Sequence, residues 1–233
     1  MNLNGKIIVI EGTDGSGKQT QTAKLKERLT KEGYEVYTNS FPNYDSNSSA
    51  AVKMYLNGEI RPNATEVSAE AASMFYAIDR YITYKREIEQ VCDANDKVIV
   101  FDRWVSSNII HQGAKILVEF PEKQLRTKKL QEFINWLYDI EHRRLGVPEA
   151  YRTIYLHVPL EYTVALREKR ANKITGGEKQ DIHESDDNHL KNASDSGLIA
   201  AKLLGWDIIE CVQDGSMRSI EDISEEIWKR INE

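Results

Sequence analysis

Cysteine is almost absent from this chain. Only Cys92 and Cys211 occur, far apart and outside any CxxC or Cys/His cluster, so neither a disulfide framework nor a zinc site is expected, and a reducing cytoplasm fits. A basic excess is missing too. The formal charge of −6 argues against a protein that lives on nucleic acid or on an anionic membrane, both of which need a positive footprint. No apolar run approaches the length of a membrane span, and Met1–Gly5 lead into a short apolar strand without a signal-like pattern. No internal repeat is present.

What remains is a chain of 233 residues with 40% hydrophobic content, long enough for one sizeable core and one domain over 1–233 with a mobile appendage. Five short runs rich in Ile, Val or Tyr predict strands at Lys6–Glu11, Glu35–Phe41, Lys97–Asp102, Thr153–Val158 and Trp206–Val212. Helical spacing fills the intervals, as in Thr22, Leu25 and Leu29, or Leu130, Phe133, Ile134 and Leu137. Ser219 followed by Asp222 predicts a capped helix start. Continuous apolar strands alternating with helices imply an α/β fold of three layers, a five-stranded parallel sheet flanked by helices. One composition break, residues 171–192 (ANKITGGEKQDIHESDDNHLKN), holds almost no large apolar residue and predicts a surface loop, a lid or local disorder, with its place after a helix carrying Arg167 and Arg170 favouring a lid.

After the first strand comes Glu11-Gly12-Thr13-Asp14-Gly15-Ser16-Gly17-Lys18-Gln19-Thr20 and then a helix. Glycines let backbone wrap a phosphate, N–H groups at the helix start face its oxygens, and Lys18 supplies charge for the β/γ-phosphates. Gly12, Thr13, Asp14, Gly15, Ser16, Gly17, Lys18, Gln19 and Thr20 are therefore the expected ATP-binding loop. Gln19 stands where the motif has the Ser or Thr that ligates Mg²⁺; Thr20, one residue on, is turned about 100° around the helix. The run Lys97–Asp102 ends in a carboxylate at the strand edge where a parallel sheet binds ligands, which makes Asp102 the candidate metal-organising group and Arg103 its catalytic neighbour. A plain helix N-cap is the competing reading of Asp102. Phe75 and Tyr76 fit core packing as well as ligand contact, and Phe41-Pro42 fits a simple strand end.

Together, GTDGSGKQT (12–20), FP (41–42), FYAIDR (75–80), DRWVSSNIIHQG (102–113), YRTIYLHVPLEYTVALREKR (151–170) and DIHESD (181–186) resemble the thymidylate kinase family across nearly the whole chain. The resemblance implies transfer of the γ-phosphoryl group of ATP to dTMP, with Mg²⁺ as cofactor and a homodimer built through helices. It also implies roles. Asp14 takes the sugar 3′-hydroxyl, Arg80 and Arg103 hold the acceptor phosphate, Tyr76 stacks on the base with Phe41 beside it, and Ser107 and Gln112 line the base and sugar pocket. Asp102 orients Mg²⁺ or its water. The loop itself carries no arginine, so the cation for the transition state is expected near the lid, from Arg170 first, with Arg167 and Lys173 close by. Helix C-termini also attract such cations through the macrodipole. The chain departs from the family pattern at Ile110 and His111, usually a small residue and Tyr or Phe, and at Asn43, where an arginine often follows the FP pair. A kinase for another deoxynucleotide or a deoxynucleoside, or an ATP-binding module without transferase activity, are the rival readings.

Overall fold

The computed structural model describes residues 2–167 and 187–233. Five parallel strands, β1 (Ile7–Gly12), β2 (Val36–Ser40), β3 (Val98–Asp102), β4 (Arg152–His157) and β5 (Asp207–Glu210), lie in the order β2-β3-β1-β4-β5. All four pairings are parallel. The expected three-layer α/β architecture is the one observed, with strand boundaries within one or two residues for most strands. The strand expected to run to Val212 stops at Glu210. Val212–Gln213 instead pair with Ser216–Met217 as a small antiparallel hairpin.

Alternate residues of β1 show why both faces must be covered. Ile7 and Val9 join Ile99, Phe101, Leu130, Phe133 and Leu137 on one side, while Ile8 and Ile10 join Leu25, Leu29, Ile154, Ile223 and Ile227 on the other. The central strands β1 and β3 are thus buried along their whole length, as a sheet covered on both faces requires, while the edge strand β2 (VYTNS) is more polar and only partly buried. Helices α1 (Lys18–Lys31) and α10 (Ile220–Asn232) cover the second face. α5 (Ser106–His111), α6 (Gly113–Glu119), α7 (Lys123–Tyr138) and α9 (Asp187–Leu204) cover the first. The start of α10 is capped as expected, with the Asp222 amide donating to Ser219 Oγ at 3.0 Å.

A satellite cluster of Val52, Tyr55, Leu56, Val67 and Ala72 joins α2 (Ala50–Leu56) to α3 (Ala69–Thr83). The anticipated loop over 171–192 is partly helix, because Asp187–Asn192 form the first turns of α9. Leu190 and Ala193 are buried there and anchor it. Residues 171–186 of that segment, Arg170 and Lys173 lie outside the described residues; Arg167 is the last residue of α8 (Leu160–Arg167). Among the described residues no helix is long and apolar enough to cross a membrane.

Candidate active site

The parallel register sets the site. Ile10 pairs with Asp102, and Asp102 pairs with Ser40, so the loop after β1 and the Asp102-Arg103 step after β3 share the carboxyl edge of the sheet, where α/β proteins bind ligands. Gly12 has φ 152°, and a Cβ there would come within 2.7 Å of the Leu156 carbonyl oxygen. Gly17, at φ 86°, caps α1 in the left-handed region, which side chains seldom occupy. Among the described residues no side chain caps α1, and its first turn holds no acidic residue. Its N–H groups are left to face an anion.

Lys18 is buried, and its Nζ donates to the Thr13 carbonyl at 2.8 Å, closing the loop on itself. Burial, then the Arg103 cation, lowers its pKa to about 8, with Asp14, Asp102 and Glu11 pulling the other way. Ser16 Oγ is buried without a hydrogen-bond partner among the described residues. Gln19 and Thr20 are exposed.

Arg103 takes φ 71°, an uncommon backbone state for a residue with a side chain. Its amide donates to the Ile10 carbonyl at 3.2 Å, its Nη2 donates to Asp14 Oδ1, and its Nη1 lies 2.7 Å from His111 Nε2. Burial works against its charge, but Asp14, Glu11 and Asp102 more than reverse that and hold it protonated. Asp102 is buried and its Oδ1 has no hydrogen-bond partner among the described residues. An orphaned carboxylate oxygen at the loop edge fits a magnesium ion or its water shell. No cluster of three or more His, Cys, Asp or Glu stands among the described residues as an all-protein metal cage; Mg²⁺ in nucleotide sites usually relies on phosphates and water for the rest of its shell.

Three of the expected site residues have partners inside the protein. Arg80 does not stand free for an acceptor phosphate. It is 1% exposed and donates Nε and Nη2 to Glu141 at 2.6 Å each, with Nη1 3.3 Å from the Trp104 carbonyl. Ser107 is turned onto Glu11, its Oγ 2.9 Å from both carboxylate oxygens, rather than lining a pocket. Phe41 is a core residue at 3% exposure, set edge-on to Trp104 and Phe101. Tyr76, half-buried on α3, lies edge-on to Tyr55 with ring centroids 6.4 Å apart. Gln112 is fully buried, and neither its Nε2 nor its Oε1 has a partner among the described residues.

Two carboxylates escaped the sequence reading although both organise the site. Glu11 is fully buried beneath the β3–α5 turn and accepts from the Trp104 amide (3.1 Å), Ser106 Oγ (2.8 Å) and Ser107 Oγ. Burial raises its pKa against the pull of Arg103 and these donors. Asp79 accepts from the Asn43 amide (2.9 Å) and Ser48 Oγ (2.5 Å), pinning the loop after Pro42. Glu11 had a visible signal, being the first residue of the phosphate-loop string. Asp79 lies in FYAIDR, but nothing in that string shows its partners Asn43 and Ser48, and Glu141 lies in none of the quoted strings, its partner Arg80 being 61 residues away.

A strand, a glycine loop closed on Lys18, a helix start open to phosphate and an aspartate at the neighbouring strand end define a P-loop nucleotide kinase. Comparison makes the class specific: the family profile described as thymidylate kinase matches residues 10–194. The chain belongs to the thymidylate kinase family. It is 32% identical over 186 residues to a probable thymidylate kinase of Methanosphaera stadtmanae, covering 79% of this chain and 82% of that one. With a putative thymidylate kinase of Aeropyrum pernix it shares 28% identity over 233 residues, 98% and 96% of the two chains. Among solved structures, the thymidylate kinase of Candida albicans superposes with a TM-score of 0.69 at 19% identity, over 100% of this chain and 93% of that one, a likeness of fold.

Proposed function

We propose that the chain transfers the γ-phosphoryl group of ATP to thymidine 5′-monophosphate, giving dTDP and ADP. The carrying observation is that Arg103, reaching from the β3 edge, is tied to Asp14 of the phosphate loop itself. The acceptor-side cation and the ATP cradle therefore converge on one spot. Only one N–H of each Arg103 terminal nitrogen is engaged by described residues; of its five donors, three remain to face an incoming phosphate.

Phosphoryl transfer needs in-line placement and charge compensation more than covalent help. The loop amides and Lys18 hold the donor phosphates, and Arg103 holds the acceptor phosphate, whose oxygen is already anionic and needs no general base. The Gln112 amide, buried with both its donor and its acceptor open, is suited to the polar edge of a base, because leaving such a group unsatisfied is costly. Mg²⁺, carried with ATP and met by Asp102, would neutralise charge on the transferring group. Arg170 is proposed as the further cation, since residues 13–16 hold none.

A homodimer is also proposed. Met54, Ile78 and Val118 are 48%, 45% and 55% exposed on α2, α3 and α6, an apolar set that a second copy would cover. The two cysteines form no disulfide, in keeping with the cytoplasm as its compartment. The deciding assay follows ADP formation from ATP and Mg²⁺ with dTMP, dUMP, dGMP and thymidine. The highest kcat/KM for dTMP supports the assignment. A preference for dGMP or thymidine would remove the thymidylate specificity and keep the kinase, and no ADP with any acceptor would remove both.

A further inference from the structure

We infer that His111 is a positioning residue for phosphoryl transfer, its neutral Nε2 accepting a hydrogen bond from Arg103 and, with Asp14, aiming the guanidinium at the acceptor phosphate. The inference rests on Arg103 holding that phosphate, as proposed above.

The direction of the contact follows from chemistry. Arg103 Nη1 and His111 Nε2 are 2.7 Å apart, and a guanidinium has donors only. The contact exists only if Nε2 carries a lone pair, so the imidazole is neutral with its proton on Nδ1. The groups facing the ring agree: burial, first, and then the Arg103 cation hold the His111 pKa well below its ordinary value. His189 and Lys18 push the same way, and Asp14 opposes them.

The ring is itself held in place. It stacks on His189 at 6.4 Å between centroids and 18° between planes. His189, 4% exposed in the first turn of α9, thus ties that helix to the acceptor-side cation. Arg103 needs such support, because its backbone sits in a sparsely populated conformation that persists only where surroundings over-determine it. Asp14 fixes one terminal nitrogen and His111 the other, which sets the plane of the fork and therefore the aim of the remaining donors.

Two variants separate positioning from packing. His111→Phe keeps an aromatic ring against His189 but removes the acceptor, whereas His111→Gln supplies an acceptor oxygen without an imidazole. Loss of one hydrogen bond to a charged group is expected to raise KM for dTMP about tenfold in His111→Phe. KM for ATP and the melting temperature should stay near wild type, and His111→Gln should recover most of the loss. Unchanged KM for dTMP in His111→Phe overturns the inference. So does an equal rise in both KM values with a falling melting temperature, or a His111→Gln variant as impaired as His111→Phe. The contact is read independently of activity by nitrogen NMR of the imidazole. At pH 6.5 Nε2 should be unprotonated, and Arg103→Gln should raise the titration midpoint of the ring. A protonated Nε2, or a midpoint indifferent to Arg103, rejects the contact. If wild type phosphorylates no monophosphate, the functional assignment fails while the NMR result still decides the His111–Arg103 pair.

Discussion

Arg80 and Glu141 form a two-pronged ion pair sealed inside the protein, Nε to Oε2 and Nη2 to Oε1 at 2.6 Å each, with exposures of 1% and 0%. Glu141 lies in the π-helical turn Asp139–Arg144 that follows α7 and also accepts from Asn108 Nδ2 at 3.1 Å. Arg80 reaches on to the carbonyl of Trp104, the residue after Arg103. The pair therefore joins α3, the end of α7 and the turn that carries Arg103.

Deleting one partner of a buried pair strands the other charge away from water, a loss of about 3–5 kcal/mol. Glu141→Gln is expected to lower unfolding stability by an amount in that range. Replacing both residues together, as Arg80→Met with Glu141→Leu, should cost less than Glu141→Gln alone, because no lone charge is left. Urea unfolding of the two proteins checks this. A single variant within about 0.5 kcal/mol of wild type would contradict the burial of the pair.

Lys18 carries a pH signature. With a pKa of about 8, the free enzyme loses the ammonium charge as pH rises through 8, and the neutral amine attracts phosphates less. The value of kcat/KM for ATP should then fall above pH 8 towards tenfold per unit, while kcat is less affected because bound triphosphate favours the charged form. Lys18→Met should abolish turnover and remain folded. A profile flat to pH 9.5, or a variant with most of its kcat, would refute the loop assignment.

How far the sequence carried these conclusions depends on whether partners are local. The five strands and the Gly12–Lys18 loop are legible because each depends on neighbours within a few residues: apolar runs, glycines at turns, a lysine opening a helix. Asp102 follows from a strand ending in a carboxylate, though the hydrogen-bonding deficit of its Oδ1 does not. The role expected of Arg80 came from the resemblance of FYAIDR, and the string does not show that Glu141, 61 residues away, closes on it. The contact of Ser107 is equally invisible in the string, its partner Glu11 lying 96 residues upstream. Asp187–Asn192 read as loop from polar composition, and the burial of His189 and Leu190 that makes them helix appears only in three dimensions.

For Asp102→Asn the expected change is in metal use. The substitution keeps the shape and removes the charge on an oxygen that no described residue satisfies. kcat should fall with a higher Mg²⁺ requirement, and KM for dTMP should move little. Titrating Mg²⁺ at saturating ATP and dTMP tests it; an unchanged half-saturating concentration would favour a structural N-cap role instead.

Lys115 offers the sharpest stability test, because it is 8% exposed and reaches from α6 into the α2–α3 cluster, donating to Tyr55 Oη at 2.9 Å and the Val67 carbonyl at 2.7 Å. Burial lowers its pKa to about 7, with Glu70 opposing, against an ordinary value near 10.4 in the unfolded chain. Below pH 7 both states hold the proton and Lys115 adds no pH dependence. Between about 7 and 10 the unfolded chain binds a proton that the native one does not, so stability rises with pH, by at most about 1.4 kcal/mol per unit. Lys115→Met lacks this group and should lack this rise, while Lys18 and every other titrating residue contribute equally to both proteins. The stability of wild type minus that of Lys115→Met should consequently grow by up to about 2–3 kcal/mol from pH 7 to pH 9 and stay level from pH 6 to pH 7. Urea unfolding of both proteins at each half unit measures the difference. Parallel curves across the whole range would mean that Lys115 keeps its proton when buried, held by the two oxygens it meets.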